Sequence, residues 1–425
     1  MQVEECLRIN NKEEAGMDLS IVFPMFWGRE KKEIVKDGDY FYDHPTALDD
    51  EGTIPPLFES LKVLKDRAFD VIAIAGANHP SMAEAVEKRA NELLSKYAAR
   101  AGVKLHYFSY SHLRRLHDYF RELGKENLIE TVSLTGYSPL RNACLVAAHI
   151  LNKDIAVSID DDCLFIEPEY IGRIKSKMLS DFEGKPIRAY CGPYNTARDA
   201  IYLDLPTAPH SVYWNVIEVM NEAFGKYIVE SPGMMEVSFA IMGNIAVHRD
   251  FYTRVPLDPP LQRGEDMDWV MNSHILGERF ILDKDLLIKH VPPPRPYPTW
   301  RPLREDIYRF RYQQAKIANS KDGDGYHAVH RERYLPYPGT FFQDDFLTRV
   351  THACTILAND YLTKNEPENA RESLNNIYHA YYLAKPKKDP FQSFLAFQKK
   401  WEEMMGIIGE KRTEVQKRVF GVNDN

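Results

Sequence analysis

The chain has 425 residues, 44% of them hydrophobic, which is enough for two domains or for one large domain with an appendage. Its 54 basic and 62 acidic residues give a net charge of −8, which argues against a nucleic-acid-binding or anionic-membrane-binding surface, although a local basic patch can still bind phosphate. No apolar run approaches the ~20 residues of a membrane-spanning helix, and the N-terminus lacks the apolar core of a signal peptide.

The cysteines are far apart in the sequence, and no two of them form a Cys-x-x-Cys pair. This spacing fits neither a disulfide framework nor a zinc site, and it is typical of proteins in a reducing compartment. We therefore expect a cytoplasmic protein. The five are Cys6, Cys144, Cys163, Cys191 and Cys354.

Short apolar runs alternate with helical patterns in the first part of the chain. A helix is predicted from about Ser81, with Ser81 as its N-cap, and another over 141–151. Strands that are apolar on both faces and separated by helices predict an α/β fold with a mainly parallel sheet. Ligands of such sheets bind at the carboxyl ends of the strands. The predicted strands are 18–24, which Pro24 is expected to end, 69–76, 103–109 and 155–159.

The cluster of prolines between Pro292 and Pro298 cannot continue a helix or a central strand. We place a domain boundary there, between a domain over 18–292 and a mainly helical region over 293–425. An apolar stripe on the last predicted helix indicates that it packs against something, in a homodimer or over a substrate. The predicted helices are 303–317, 345–362 and 391–408.

Three adjacent carboxylates, Asp160-Asp161-Asp162, follow the apolar strand 155–159. Such crowded charges repel one another, and a divalent cation is the simplest compensation. Carboxylate oxygens suit Mg²⁺ or Mn²⁺. Because the side chains of a strand alternate, Asp160 and Asp162 are expected to point one way and Asp161 the other. The alternative interpretation is a solvated acidic turn.

Two further motifs come later in the chain. Glu265-Asp266 lies at the start of a predicted helix, where a carboxylate is either a candidate general base or an ordinary first-turn residue. His290 closes a short apolar run and is either a metal ligand or a packed histidine.

The order of these motifs resembles that of the GT-A glycosyltransferases, either family-2-like or a related retaining family. The resemblance covers Asp18 to His290 and includes the Asp-x-Asp of the triplet, Gly243-Asn244, Glu265-Asp266 and His290. It implies a GT-A fold and an enzyme that transfers a sugar from a nucleotide-sugar donor to a hydroxyl acceptor with Mg²⁺ or Mn²⁺.

The resemblance also implies roles for individual residues. Metal binding falls to Asp162, Asp160 and His290. Gly243 and Asn244 bind the acceptor. Asp266 is the candidate base of an inverting enzyme, with Glu265 as the second choice. Donor binding falls to Asp160, Asp161, Arg141, Gly76, Asn78 and Pro24.

The positions after the first two strands depart from the family pattern. Gly76-Ala-Asn78 lacks the carboxylate with which many relatives read the nucleobase, so the base stays open. One alternative function is a sugar-phosphate nucleotidyltransferase, although the segment after Pro24 lacks the usual glycine-rich phosphate loop. Another is a non-catalytic binding module with the same fold, for which an unused acidic triplet would be a liability.

Overall fold

The computed structural model describes residues 16–421. Cys6 and the residues before 16, on which the signal-peptide prediction rests, lie outside the described residues. Labelled in chain order, the strands are β1 Leu19–Trp27, β2 Asp70–Ala77, β3 Lys104–Phe108, β4 Ile155–Ser158, β5 Cys163–Phe165, β6 Asp181–Phe182, β7 Lys185–Pro186, β8 Ala189–Cys191, β9 Tyr194–Asn195, β10 Met234–Val237, β11 Ile245–His248, β12 Phe280–Asp283 and β13 Ile288–His290.

The α-helices flank and follow these strands. They are α1 Ile54–Ser60, α2 Ala83–Ala101, α3 Tyr110–Glu122, α4 Tyr137–Ile150, α5 Tyr170–Lys177, α6 Val216–Phe224, α7 Arg249–Tyr252, α8 Glu265–Ile275, α9 Trp300–Asn319, α10 Phe346–Thr363, α11 Pro367–Tyr378, α12 Pro390–Glu410 and α13 Arg412–Phe420.

Eight strands form the main sheet, in the order β10-β12-β8-β11-β4-β1-β2-β3. Pairing is parallel from β4 through β1 and β2 to β3, and between β8 and β12. Of these eight strands, β10 and β11 are antiparallel to the other six. Helices α2, α3 and α4 connect the parallel strands, as such pairs require. The predicted α/β fold with a mainly parallel sheet is therefore confirmed.

The prediction that Pro24 ends the first strand is wrong, because β1 continues to Trp27 and pairs Pro24 with Ile74 of β2. In β1 the backbone N–H and C=O groups of even-numbered residues point toward β4 and not toward β2. The hydrogen bond from the Ile159 N–H to the Val22 carbonyl shows this direction. On that side β4 has already ended, at the pair Val22–Ser158. The missing N–H of Pro24 therefore costs no ladder hydrogen bond.

The helix predicted from about Ser81 begins two residues later, at Ala83, after a 3₁₀ turn over Pro80–Met82. The imidazole of His79 accepts the Ser81 N–H at 3.2 Å. His79 therefore caps the 3₁₀ turn, whereas α2 starts after Met82 without a side-chain cap, so the predicted capping by Ser81 is wrong.

All three helices predicted in the last third are present, as α9, α10 and α12, whereas α11 and α13 were not predicted. The Trp401 indole of α12 donates to the Tyr252 carbonyl at 2.9 Å, and His149 of α4 donates to the Met405 carbonyl at 2.9 Å. The apolar stripe of α12 is thus buried against the sheet region of the same chain. None of the helices in the described range is both long and apolar enough to cross a membrane.

A buried ion cluster joins α9 to α8. The Lys316 ammonium, fully buried, lies 2.7 Å from Asp258 and 2.8 Å from Asp268, and it also donates to Asn272. Since each buried charge faces an opposite one, the cluster fixes the last third of the chain against the helix that carries Glu265 and Asp266.

Burial lowers the pKa of His149 to about 4. In the unfolded chain His149 binds a proton below about pH 6.5, whereas in the folded protein it stays neutral until about pH 4. The free energy of unfolding therefore decreases as the pH falls from 6.5 toward 4. For His149→Gln we expect a shallower decline of the free energy of unfolding between pH 7 and pH 5, by up to about 1.4 kcal/mol per pH unit. Urea titrations at each pH measure it. The exposed His330→Gln is the control, and a slope unchanged from wild type in His149→Gln would contradict the prediction.

Candidate functional site

Two short strands bring the acidic triplet and His290 together. The triplet forms the turn between β4 and β5, and β5 pairs with β13 so that His290 lies opposite Cys163. The Val291 N–H donates to the Asp162 carbonyl at 2.9 Å and closes this arrangement. Residues 128 positions apart thus become neighbours beyond the carboxyl end of β4.

The three carboxylates of the triplet have different partners. Asp160 forms an ion pair with Arg141, Asp161 accepts the Thr53 hydroxyl at 2.8 Å, and Asp162 lies 3.3 Å from the His290 Nε2. Oxygens of Asp160 and Asp162 lie within 4.8 Å of one another and of the Cys163 sulfur. Asp160 and Asp162 therefore converge as the strand pattern predicts, while Asp161 is held by Thr53.

The charges in this cluster perturb one another strongly. Burial, with the added repulsion of Asp162, raises the pKa of Asp161 to about 8. Burial would also raise the pKa of Asp162, but the hydrogen bond and charge of His290 outweigh it and lower that pKa. Correspondingly, Asp162 raises the pKa of His290 against the opposing effect of burial. The pKa shifts of Asp162 and His290 are thus opposite in direction, because each group favours the charged form of the other.

Gly243 packs against the triplet, whereas the side chain of Asn244 supports the backbone. A Cβ on Gly243 would lie 2.7 Å from the Cys163 sulfur and 3.2 Å from Asp160 Oδ2, so a side chain there would displace the thiol and crowd the carboxylate. Fully buried Asn244 donates to the carbonyls of Pro193 and Leu286 and accepts the Tyr170 hydroxyl. Of the two predicted acceptor-binding residues, only Gly243 therefore lies beside the carboxylates.

Arg141 lies between the triplet and the start of α8. Its guanidinium forms an ion pair with Asp160, and its Nε is 3.4 Å from Glu265 Oε1. The side chain is only 4% exposed, and burial raises the pKa of Glu265 to about 7 although the charge of Arg141 opposes this. The buried guanidinium of Arg141 thus connects the acidic triplet with Glu265-Asp266.

Asp266 is the more accessible carboxylate of the Glu265-Asp266 pair. It is half-buried, and its oxygens face the N–H groups of Met267 at 2.8 Å and Met242 at 3.5 Å. Gly264, with φ +67°, makes the turn that starts α8 and places both acids in its first turn. Burial raises the pKa of Asp266. A half-exposed carboxylate with a raised pKa is suited to accept a proton.

The other predicted donor-binding residues contact protein groups. Pro24 lies inside β1, three residues before its end. A Cβ on Gly76 would come within 2.4 Å of Leu140, so this glycine lets α4 pack closely on β2. Asn78, fully buried, donates to the Ile34 carbonyl and to Asp39, both at 3.2 Å.

No protein-family model and no curated protein sequence matches the chain. Among solved structures, it is similar to a mannosyltransferase from Pyrobaculum calidifontis in complex with GDP-Man and Mn²⁺, at 12% identity over 93% of this chain and 87% of that one, with a TM-score of 0.43. Glucosyl-3-phosphoglycerate synthase from Mycobacterium tuberculosis, with Mn²⁺ and UDP-glucose, shares 15% identity over 73% and 82%, with a TM-score of 0.36. A structure of GalNAc-T7 with UDP, GalNAc and Mn²⁺ shares 10% sequence identity, over 88% of this chain and 59% of that one, with a TM-score of 0.40.

Two further charged or titratable residues, His44 and Asp43, lie on the irregular segment after β1, and no motif in the sequence marks them. The charges of Asp162 and His290 act on His44, although burial is the main reason that its pKa is lowered. Asp43 lies 3.4 Å from Arg263 and 3.6 Å from Arg295. No periodicity marks this segment, so only its path in the fold reveals these residues.

Helix α9 also contributes to the site, through Arg309. Its Nε lies 2.8 Å from Asp306, and its Nη2 donates to the Tyr337 hydroxyl at 2.6 Å. A Cβ on Gly264 would lie 2.1 Å from Arg309 Nη1, so Arg309 packs directly against the start of α8. The helical region is therefore part of the wall around Glu265-Asp266, which no motif in the sequence indicated.

Proposed function

We propose that this protein is a metal-dependent glycosyltransferase of the GT-A type, which moves a sugar from a nucleoside-diphosphate sugar to a hydroxyl acceptor. One observation carries the proposal: Asp160 and Asp162 converge at the carboxyl end of β4, with His290 beside Asp162 and with Arg141 linking Asp160 to Glu265. A reducing, cytoplasmic setting fits the four described cysteines, which are buried and free.

The residues present fit a divalent cation. The carboxylates of Asp160 and Asp162 converge, and His290 beside Asp162 adds an imidazole nitrogen. We propose that these three residues would hold Mn²⁺ or Mg²⁺, which such oxygen and nitrogen donors suit. The Cys163 thiol fits less well, because soft sulfur ligands select zinc, copper or iron–sulfur centres, whereas oxygen donors suit Mg²⁺ and Mn²⁺. A bound cation would neutralise the charge that develops on the diphosphate leaving group.

The chain's own residues supply orientation and proton transfer. Arg141 is held by Asp160 and Glu265, and this fixed positive charge supports a role for it in binding the donor phosphates. In an inverting reaction Asp266 removes the proton of the acceptor hydroxyl. In a retaining reaction no base is needed, and Glu265 or Asp266 binds the acceptor instead.

The test is incubation with Mn²⁺ and a panel of nucleotide sugars, with and without simple hydroxyl acceptors, followed by measurement of released nucleoside diphosphate. Release that depends on Mn²⁺ supports the proposal. Pyrophosphate formed from a nucleoside triphosphate and a sugar phosphate would point to a nucleotidyltransferase. Donor binding without turnover would point to a binding module.

For Asp266→Asn we expect turnover to fall by about 10²-fold, because the amide keeps the shape of the side chain but cannot accept the proton. The raised pKa of Asp266 places the acid limb of the pH–rate profile above the ordinary range of an aspartate, with activity rising as the group loses its proton. Initial rates across pH measure both effects. Glu265→Gln is the matched variant, and a larger loss in it than in Asp266→Asn would transfer the base role to Glu265.

A further inference from the structure

The end of α11 and the turn after it expose a group of large apolar side chains, here called the tyrosine patch. Its members and their exposed fractions are Leu374 48%, Tyr378 56%, Tyr381 44%, Tyr382 69% and Leu383 48%. Single exposed apolar residues are ordinary, but five within ten positions form a surface that water solvates poorly.

The helical spacing places four of these side chains on one face. Leu374, Tyr378 and Tyr381 follow one another at intervals of four and three residues, and the rings of Tyr378 and Tyr382 lie 5.0 Å apart. Another side of the segment packs inward through Ser373, Asn376 and Ala380. In this segment small and polar side chains are therefore buried, whereas the tyrosines and leucines of the patch are exposed.

Three exposed lysines, Lys385, Lys387 and Lys388, follow the patch directly. Carboxylates near them in the sequence are engaged by other groups. Glu372 binds Arg304, and Asp389 caps α12 by accepting the Phe391 and Gln392 N–H groups. The patch is thus bordered by a local group of positive charges. The net charge of −8 disfavours a general attraction to anionic surfaces, but salt screens charges beyond about 10 Å, so the nearby lysines decide the attraction at the patch.

We propose that the tyrosine patch and its three lysines dock on the surface of an anionic lipid bilayer. Tyrosine suits the interface between headgroups and acyl chains because its ring is apolar and its hydroxyl is polar. Lysines beside it are attracted by acidic headgroups. A second copy of the chain fits less well, because a symmetric pairing of two patches would bring both lysine clusters into the same interface.

Docking would place a cavity near the lipid surface. This cavity of about 480 Å³ is lined by His379 and Ala384 from the turn of the patch, by Arg301 and Arg309 of α9, and by Gln262 just before α8. A docked protein would therefore hold this cavity close to the bilayer. The docking itself does not depend on the proposed function.

Vesicle flotation of the full chain tests the proposal, with phosphatidylcholine vesicles alone and with phosphatidylserine added. We expect flotation only with the acidic vesicles, weakened by high salt. Two variants should each reduce the bound fraction by about tenfold or more: Tyr378→Ser with Tyr382→Ser and Leu383→Ser, and Lys385→Glu with Lys387→Glu and Lys388→Glu.

The matched control reverses three exposed lysines elsewhere, as Lys32→Glu, Lys88→Glu and Lys185→Glu, and it should float like the wild type. Circular dichroism and vesicle-free release of nucleoside diphosphate check that the patch variants are folded, so a failed activity assay and a failed docking assay stay distinguishable. Absence of flotation with acidic vesicles, or equal flotation of control and patch variants, would overturn the proposal. So would a dimer that the tyrosine variant dissociates while its flotation is unchanged.

Discussion

Asp162→Asn is expected to lower Mn²⁺-dependent turnover by about 10³-fold or more, since the loss of several kcal/mol of charge stabilisation in the transition state has this size. Asp162 is the carboxylate that faces both His290, at 3.3 Å, and the oxygens of Asp160. The amide keeps the volume of the side chain and removes its charge. Initial rates over a range of Mn²⁺ concentrations separate weaker metal binding from slower chemistry.

Asp161→Asn is the matched control, because it removes a carboxylate from the neighbouring position. Asp161 is held by the Thr53 hydroxyl at 2.8 Å and does not belong to the converging pair, so we expect less than about a tenfold loss. A melting temperature like that of the wild type shows that each variant is folded. An equal decrease of turnover in the two variants would contradict the assignment of the metal site to Asp160 and Asp162. Turnover of Asp162→Asn at the wild-type rate would exclude Asp162 as a metal ligand.

Lys316→Met is expected to lower the free energy of unfolding by about 3–5 kcal/mol, because it leaves two buried carboxylates without their cation. Lys316 is fully buried, 2.7 Å from Asp258 and 2.8 Å from Asp268. Methionine matches most of the lysine side chain in volume, so little of the loss comes from packing. Urea unfolding at pH 7, followed by tryptophan fluorescence, measures the change.

The control for this prediction is Lys364→Met, which breaks the exposed pair of Lys364 and Asp360 at 2.7 Å. Exposed pairs contribute between about 0 and 1 kcal/mol, so the control should unfold almost like the wild type. A triple variant, with Asp258→Leu and Asp268→Leu added to Lys316→Met, should regain part of the stability because no charge stays buried alone. The prediction fails if Lys316→Met and Lys364→Met unfold at the same urea concentration.

The importance of Lys316 extends beyond stability. It connects α9 to α8, the helix whose first turn carries Asp266, while Arg309 of α9 packs against Gly264 at the start of that turn. The predicted division of the chain near Pro292 stays a prediction, but the two parts share contacts around the candidate site. Changes in the last third of the chain are therefore expected to alter turnover as well as stability.

The sequence by itself determined the parallel half of the sheet and the placement of the acidic triplet. Continuous apolar runs such as 69–76 and 155–159 can be buried on both faces only in a covered parallel sheet, and carboxylates directly after such a run must lie at its carboxyl end. The same local rules placed Glu265 and Asp266 in the first turn of a helix. The same rules wrongly predicted that β1 ends at Pro24, because whether a proline interrupts a strand depends on where the neighbouring strand ends.

Only the tertiary structure decided which residues surround the triplet. The pairing of β5 with β13 brings His290 to Asp162, and the irregular segment after β1 brings His44 within reach of their charges. Helix α9 brings Arg309 to the start of α8, beside Glu265-Asp266. These residues are distant in sequence, and no period or capping pattern connects them. Asn244 shows the opposite case, since a residue predicted to bind acceptor uses its amide to hold two backbone carbonyls. Local patterns report which face of an element is buried, whereas a site depends on contacts between elements, which packing alone sets.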